Sequence, residues 1–313
     1  MENRRMLFLI NPHAGKAEIK GRALDLVDLF VRGGWEVTVH TTQRRLEIAD
    51  LLPRCADRYG LVVCSGGDGT LNETITGLMR CPPEGRPPLG YIPAGTVNDF
   101  ASSLGISKNM HEAAAAILSG EPFLCDVGAF GDRYFSYIAA FGAFTDVSYQ
   151  TPQQSKNLLG RAAYFLEAIL RLPAVKAYRM SVTHDGETVE GEFLFGMVTN
   201  ATSVGGFKLR AGANISMNDG LLEAVFLRNP KTALEAQALV GAVLRQEYDS
   251  EFVTAFRTTR LSVRAEEKVP WTLDGEFGGT ARQVRIANCP RAIRVITAPA
   301  GGAAGDAQRA SPF

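Results

Sequence analysis

The chain has no excess of either charge: 33 Lys and Arg against 33 Asp and Glu leave a formal net charge of zero at pH 7. A balance of this kind sets up no global field toward a polyanion, so nucleic acid is not expected as the main partner. Cysteine is sparse, with five residues (Cys55, Cys64, Cys81, Cys125 and Cys289) and no CxxC pair. An odd, scattered set argues against a disulfide framework or a cysteine zinc site and suits a reducing cytosol. His13, His40, His111 and His184 do not cluster, so histidine metal or triad chemistry is unsupported. Long apolar runs are missing too. The first, Met6 to Ile10, is too short for a signal peptide, and later runs break well before the ~18 residues that cross a bilayer. A cytoplasmic protein is expected; if it meets lipid, it does so from the aqueous side. Walker A loops, GxGxxG strings and internal repeats are likewise lacking, which speaks against a P-loop NTPase and a dinucleotide fold.

What is present is a globular chain of 313 residues, 46% hydrophobic and 21% charged, long enough for two domains. Residues 1–125 alternate short apolar runs with helical spacing. Strands are expected at Arg5–Ile10, Glu36–Thr41, Leu61–Cys64 and Leu89–Ile92, and helices at Ala17–Arg32, Leu46–Asp57 and Leu71–Arg80. This βαβ pattern predicts a three-layer α/β domain with a mainly parallel sheet. From about residue 126 to 299, short alternating runs separated by turn residues predict an all-β sandwich or barrel. They include Val127–Phe130, Tyr134–Ala140, Tyr178–Thr183, Thr188–Asn200, Leu221–Leu227, Phe252–Arg257, Leu261–Ala265, Val269–Leu273, Gln283–Ala287 and Ile293–Thr297, with helices near Gly160–Arg171 and Lys231–Gln246. Residues 300–313, small and polar, read as a disordered tail.

Three glycine-rich turns follow the first, third and fourth strands. They are Asn11-Pro12-His13-Ala14-Gly15-Lys16, Ser65-Gly66-Gly67-Asp68-Gly69-Thr70-Leu71-Asn72-Glu73 and Pro93-Ala94-Gly95-Thr96-Val97-Asn98-Asp99-Phe100. In a parallel sheet such turns share the carboxyl edge, where ligands bind. Glycine lets amides approach an anion, and a following helix adds positive potential. A polyphosphate site is the expectation. Asp68 beside bound phosphates implies an intervening Mg2+, although an Asx-turn or a helix N-cap uses the same residue. Lys16 either neutralises phosphate or starts a helix.

The ordered set NPHAGK, SGGDGTLNE and PAGTVNDF resembles the diacylglycerol kinase catalytic-domain family, in its soluble bacterial lipid-kinase branch. The likeness continues through Phe141–Val147, Lys156-Asn157, Gly160–Tyr164, Asn218–Leu222 and Leu273-Asp274-Gly275-Glu276, so it spans residues 1–297. It implies an N-terminal α/β nucleotide domain and a C-terminal β-sandwich for the lipid acceptor, and leaves open whether the last strand, Ile293–Thr297, returns to the first domain. It also implies residue roles. Asn11, Pro12, His13, Ala14 and Gly15 cradle ATP, and Thr41 lies near base or ribose. Gly67, Asp68, Gly69, Thr70, Leu71, Asn72 and Glu73 hold phosphates, while Thr96 and Glu276 contact nucleotide. Asp68 and Asp99 join a catalytic Mg2+ network. Asp274 is the general base. Asp219, with the carbonyls of Ser216 and Leu221, holds a structural Mg2+.

Read without the resemblance, both Asp274-Gly275 and Asp219-Gly220 are equally hairpin turns, as Asp185-Gly186 is. Lys156, Arg161 and Arg171 either face anionic membrane or form a solvated helix face, and the apolar stripe Ala162, Phe165, Leu166, Ile169, Leu170 reads as core. The implied activity is ATP-dependent phosphorylation of diacylglycerol by a protein in peripheral contact with the membrane. The alternatives are a kinase for phosphatidylglycerol or a sphingoid base, an NAD kinase, or a nucleotide sensor without catalysis. A homodimer is compatible with the sequence, which leaves oligomeric state and acyl-chain preference open.

Overall fold

The computed structural model describes residues 3–142 and 176–299, apart from residues 202, 205, 206, 209–215, 246 and 248. The expectations for Lys156, Arg161, Arg171, the helix near Gly160–Arg171 and the tail lie outside the described residues. Chain contacts divide the protein into two units, one formed by Met1–Leu124 with the chain from Ile293 onward, the other by Cys125–Ala292.

The first unit runs β1 (Arg5–Ile10), α1 (Ile19–Arg32), β2 (Glu36–Thr41), α2 (Glu47–Leu51), β3 (Leu61–Gly66), α3 (Asp68–Met79), β4 (Leu89–Pro93), α4 (Asp99–Ser103) and α5 (Met110–Ser119). The pairings among β1 to β4 are parallel, in the order β2-β1-β3-β4, with Val295 from the end of the chain in parallel pairing beside Leu89 of β4. Met6, Phe8, Ile10, Val63 and Ile92 face one side and pack with Ile19, Leu26 and Phe30 of α1 and Ala114 and Ile117 of α5. On the other side α3 packs against β3 and α2, so closely that a Cβ on Gly77 would lie 2.9 Å from Leu52 Cδ1. Burial on both faces explains why β3 and β4 are unbroken apolar runs. Because β2 and β3 flank β1 on opposite sides, the strand order reverses between β1 and β3. Ligands of doubly wound sheets bind at this point.

The interruption that Pro53 implies within the expected Leu46–Asp57 helix is present, separating α2 from the short 3-10 turns Leu52–Arg54 and Ala56–Arg58. Other helices differ from expectation. The helix after β3 starts at Asp68, because Gly67 is extended (φ −88°) and serves as its N-cap. Helix α5 has no counterpart in the sequence reading, although Asn109 caps it by accepting from the amides of His111 and Glu112.

The second unit is β-rich and antiparallel. It comprises β5 (Glu121–Phe130, begun in the first unit), β6 (Arg133–Phe135), β7 (Ile138–Gly142), β8 (Tyr178–His184), β9 (Glu187–Thr199), β10 (Ser203–Val204), β11 (Phe207–Lys208), β12 (Leu222–Arg228), α6 (Ala233–Arg245), β13 (Asp249–Ser250), β14 (Val253–Thr258), β15 (Arg260–Leu273) and β16 (Glu276–Thr297, whose end belongs to the first unit). Strands β9 and β15 each pair with β8 along one half and with β7 along the other. This double pairing folds the sheet over a core of Phe135, Phe141, Phe193, Phe226 and Trp271. Leu239 and Ala242 of α6 cover Met197, Val225 and Leu227 on a separate apolar surface.

Strand lengths depart from the sequence pattern for local reasons. A register shift between Arg264 and Val269 joins two expected strands into β15. The expected run Tyr134–Ala140 is instead broken at Ser136-Tyr137, where three consecutive amides turn toward one carboxylate, that of Asp274.

Candidate active site

The loops after β1, β3 and β4 are packed backbone to backbone. Gly15 has φ +53°, and a Cβ on it would lie 2.2 Å from the Ala94 carbonyl oxygen. A Cβ on Gly95 would come within 2.6 Å of Gly67 Cα. Side chains tie the same loops: Asn11 Nδ2 donates to Thr70 Oγ1 at 3.0 Å, and the Asn98 amide donates to Asp68 Oδ2 at 3.0 Å. Asn98, left-handed at φ +56°, also accepts from the Gly95 amide and donates to the Gly95 carbonyl. Tyr91 donates to the Gly66 carbonyl, and burial pushes its phenol well above the ordinary range. Glycines are required where these backbones touch, and the first turn of α3 opens onto the same place.

Within this cluster the expected residues fall into distinct positions. Asn11 Oδ1 accepts from the His13 amide, shaping a turn that leaves His13 and Gly15 exposed, Pro12 half-buried and Ala14 buried. Gly69, Asn72 and Glu73 lie on the first turns of α3, half-buried, with Thr70 almost covered. Leu71 is wholly buried in the core, so only its backbone is available to a ligand. Thr96 is exposed, whereas Asp99 is 2% exposed at the start of α4. Asp68 is not a helix cap; its Oδ2 reaches across to the third loop. An Mg2+ held mainly by nucleotide phosphates and water needs only one or two protein carboxylates. Asp68, bonded to the residue that precedes Asp99, satisfies that requirement. Among the described residues no group of three or more His, Cys, Asp and Glu side chains forms a closed metal cage.

Beside the first two loops is an open pocket of about 220 Å³, lined by Asn11, His13, Thr42, Arg45, Thr70 and Glu73 among others. Thr42, not Thr41, is in its wall; the Thr41 hydroxyl and carbonyl accept from Gln43 Nε2. The wall is held by Glu47. Its Oε2 accepts from the amides of Gln43 (2.6 Å) and Arg44 (3.1 Å), and its Oε1 lies 2.9 Å from His40 Nε2. The Gln43 amide above all holds the Glu47 carboxyl below its usual range, with His40 and the Arg44 amide adding to it against the cost of burial. Sequence reading overlooked Thr42, Glu47 and Asn98. A Glu at the first position of a helix that follows a polar loop is the signal for the second of them.

In the second unit, Asp274 and Gly275 form the two-residue loop between β15 and β16, with φ +50° and +80°, a type I′ hairpin. The Asp274 carboxylate turns inward. Oδ2 accepts from the Ser136 amide (2.6 Å) and Ser136 Oγ (2.7 Å), and Oδ1 from the amides of Tyr137 and Ile138, both at 3.0 Å. Burial raises the Asp274 carboxyl above its ordinary value, and these donors pull it back toward the charged form. Glu276, two residues on, is exposed.

Asp219 has a different occupation from the one the resemblance implies. Its Oδ1 accepts from the Leu221 amide, and its Oδ2 pairs with Arg257. The same guanidinium donates to Glu223 Oε1 at 3.0 Å, and Glu223 and Arg257 are directly opposed on β12 and β14. Burial pushes Glu223 up to about 7 against the pull of Arg257. Ser216 directs its hydroxyl to Asn218 Oδ1. A carboxylate already paired with a guanidinium is a poor ligand for a divalent ion, so Asp219, as placed here, does not fit a structural Mg2+. The surrounding turn is instead fixed by Asp126, a wholly buried carboxylate that accepts from the Gly220 amide, Asn288 Nδ2 and the Arg291 amide.

The sequence matches two family models, the diacylglycerol kinase catalytic domain over residues 5–130 and the YegS C-terminal NAD kinase beta sandwich-like domain over residues 140–297. It is 31% identical over 278 residues to a diacylglycerol kinase of Bacillus subtilis, covering 88% of this chain and 91% of the relative. It is 29% identical to one of Staphylococcus haemolyticus, covering 93% and 87%. Its fold is shared with the crystal structure of a diacylglycerol kinase from Bacillus anthracis, with a TM-score of 0.72, 21% identity and coverage of 96% and 99%.

Proposed function

Because the chain belongs to the diacylglycerol kinase family and is a kinase of lipid metabolism, we propose that it transfers the γ-phosphoryl group of ATP to the primary hydroxyl of diacylglycerol. The products are phosphatidic acid and ADP. The observation that carries this reading is the fusion of three glycine loops at the point where the strand order reverses, with a pocket beside them. Backbone amides and the first turn of α3 bind the phosphates; Thr42 and Asn11 orient the rest of the nucleotide. Asp68 and Asp99 hold Mg2+, which when bound neutralises phosphate charge.

Asp274 accepts the proton of the attacking hydroxyl. Burial raises its affinity for that proton, and its four donors work against that rise. The acceptor lipid lies in a bilayer, and the protein meets it from the cytoplasmic side. Among the described residues no helix is long and apolar enough to cross a membrane.

The test is ADP release with micelles of diacylglycerol, phosphatidylglycerol or a sphingoid base. Stimulation by diacylglycerol alone is expected; stimulation by another lipid reassigns the acceptor, and release without lipid dependence rejects the reading. Asp274→Asn should abolish turnover while ATP still binds. Asp68→Ala should weaken ATP binding in Mg2+ and leave it unchanged in EDTA.

A further inference from the structure

The Asp274 carboxylate presents a difficulty to its proposed role. A carboxylate has about four lone-pair sites, and here four donors occupy them: three backbone amides and one hydroxyl. For a substrate hydroxyl to hand over its proton, one donor must leave. The amides of Ser136, Tyr137 and Ile138 are fixed in consecutive peptide planes at the break between β6 and β7. The Ser136 hydroxyl is different. It turns about a single bond, its side chain is enclosed at 1% exposure, and moving it displaces no backbone.

We propose that the Ser136 hydroxyl is a positioning group for Asp274, holding the carboxylate ionised at rest and ceding its place on Oδ2 to the substrate hydroxyl. The inference rests on the reading of Asp274 as proton acceptor. When the acceptor oxygen bonds to the γ-phosphorus and the bond to the ADP oxygen breaks, the substrate proton passes to Oδ2. Ser136 keeps its own proton throughout, and Asp274 later releases the acquired one to solvent. No ionisable side chain is among the four donors. The ionisable residues nearest to this site along the chain are Tyr137 on the same bend, Glu276 at the start of β16, and Tyr134 and Arg133 on β6, the Arg133 guanidinium lying near Gly279; the remaining ones on β15 and β16 begin at Lys268 and Arg282.

The experiment is the pH dependence of kcat/KM for diacylglycerol-stimulated ADP release in the full-length chain. Loss of a hydroxyl donor disfavours the carboxylate, so Ser136→Ala should move the acid limb upward by about one pH unit, with the plateau rate kept. Ser136→Val should shift the limb as Ser136→Ala does, and Ser136→Thr, which restores only the hydroxyl, should overlie the wild type. Should Ser136→Ala unfold, the Val and Thr pair carries the same comparison, with melting curves as the check on folding. Unshifted limbs in Ser136→Ala and Ser136→Val overturn the proposal. Asp274→Asn separates the two levels of inference. An inactive Asp274→Asn with unshifted Ser136 variants rejects the role of Ser136 alone, whereas an active one removes the base itself.

Discussion

Asp185 and Asp274 occupy the same backbone position, the first residue of a two-residue type I′ Asp-Gly hairpin, yet only Asp274 folds its carboxylate into the protein. The φ angles differ by little, +48° and +50°. The Asp185 side chain is 55% exposed and has His184 as its neighbour at 3.4 Å, whereas Asp274 closes onto three amides and a hydroxyl. The distinction between a turn residue and a chemical one therefore lies in what the rest of the sheet brings to the turn.

It follows that Asp185→Ala should cost only about 1 kcal/mol, the penalty for a left-handed alanine. Asp274→Ala strands three amides and a hydroxyl in the interior and should cost at least ~3 kcal/mol. Urea unfolding of the two variants makes the comparison; equal losses would show that the inward carboxylate adds nothing to stability.

The contact between the second and third glycine loops leaves no room for a methyl group. Gly95→Ala should shift both backbones and lower ATP affinity at least tenfold, because a Cβ would lie 2.6 Å from Gly67 Cα. Gly21→Ala, in the exposed first turn of α1 with nothing within 4 Å, should stabilise the protein by up to ~1 kcal/mol and leave affinity unchanged. Calorimetric titration with ATP, read beside thermal melting, tests both.

Glu47 makes the pocket wall sensitive to acid. Its carboxyl is held below the ordinary 4.5, so the folded protein binds that proton more weakly than the unfolded chain does. The stabilisation is fully present above pH 4.5 and is lost as pH falls through the lowered value. Glu47→Gln should cost about 1 kcal/mol at pH 7, and the gap to wild type should close on acidification. A gap that persists well below pH 4 contradicts the assignment.

Arg257 takes the place a structural cation would need beside Asp219. Melting of the nucleotide-free wild type should be the same in Mg2+ and in EDTA. Arg257→Met leaves Asp219 and the 3%-exposed Glu223 facing each other without a cation, at a cost of about 1–3 kcal/mol. Millimolar Mg2+ should recover part of that loss. A wild-type melting point that falls in EDTA would restore the metal site.

Much of this was readable in advance, for identifiable reasons. Strands β1, β3 and β4 are buried on both faces, so their apolar runs and the glycines ending them stand out in the sequence. The loops they end in stand out for the same reason, and the structure packs them against one another. Legibility failed where distant residues decide. Nothing local to Ser136-Tyr137 announces that Asp274, more than a hundred positions away, will bend the chain there. Nor does Asp219-Gly220 reveal that Arg257 will reach it from β14. Thr42 was displaced by one residue in the reading because a strand's last residue and the first of its loop are indistinguishable in a Thr-Thr pair.

The return of Ile293–Thr297 to the edge of β4 constrains how the protein is made. While a ribosome is still producing Cys125–Ala292, the parallel sheet of the earlier unit exists without its border, and Leu89–Pro93 has an unsatisfied hydrogen-bonding edge. The first unit should therefore mature only after translation of the second, and nascent chains arrested before Ile293 should be the species that chaperones hold and proteases clear.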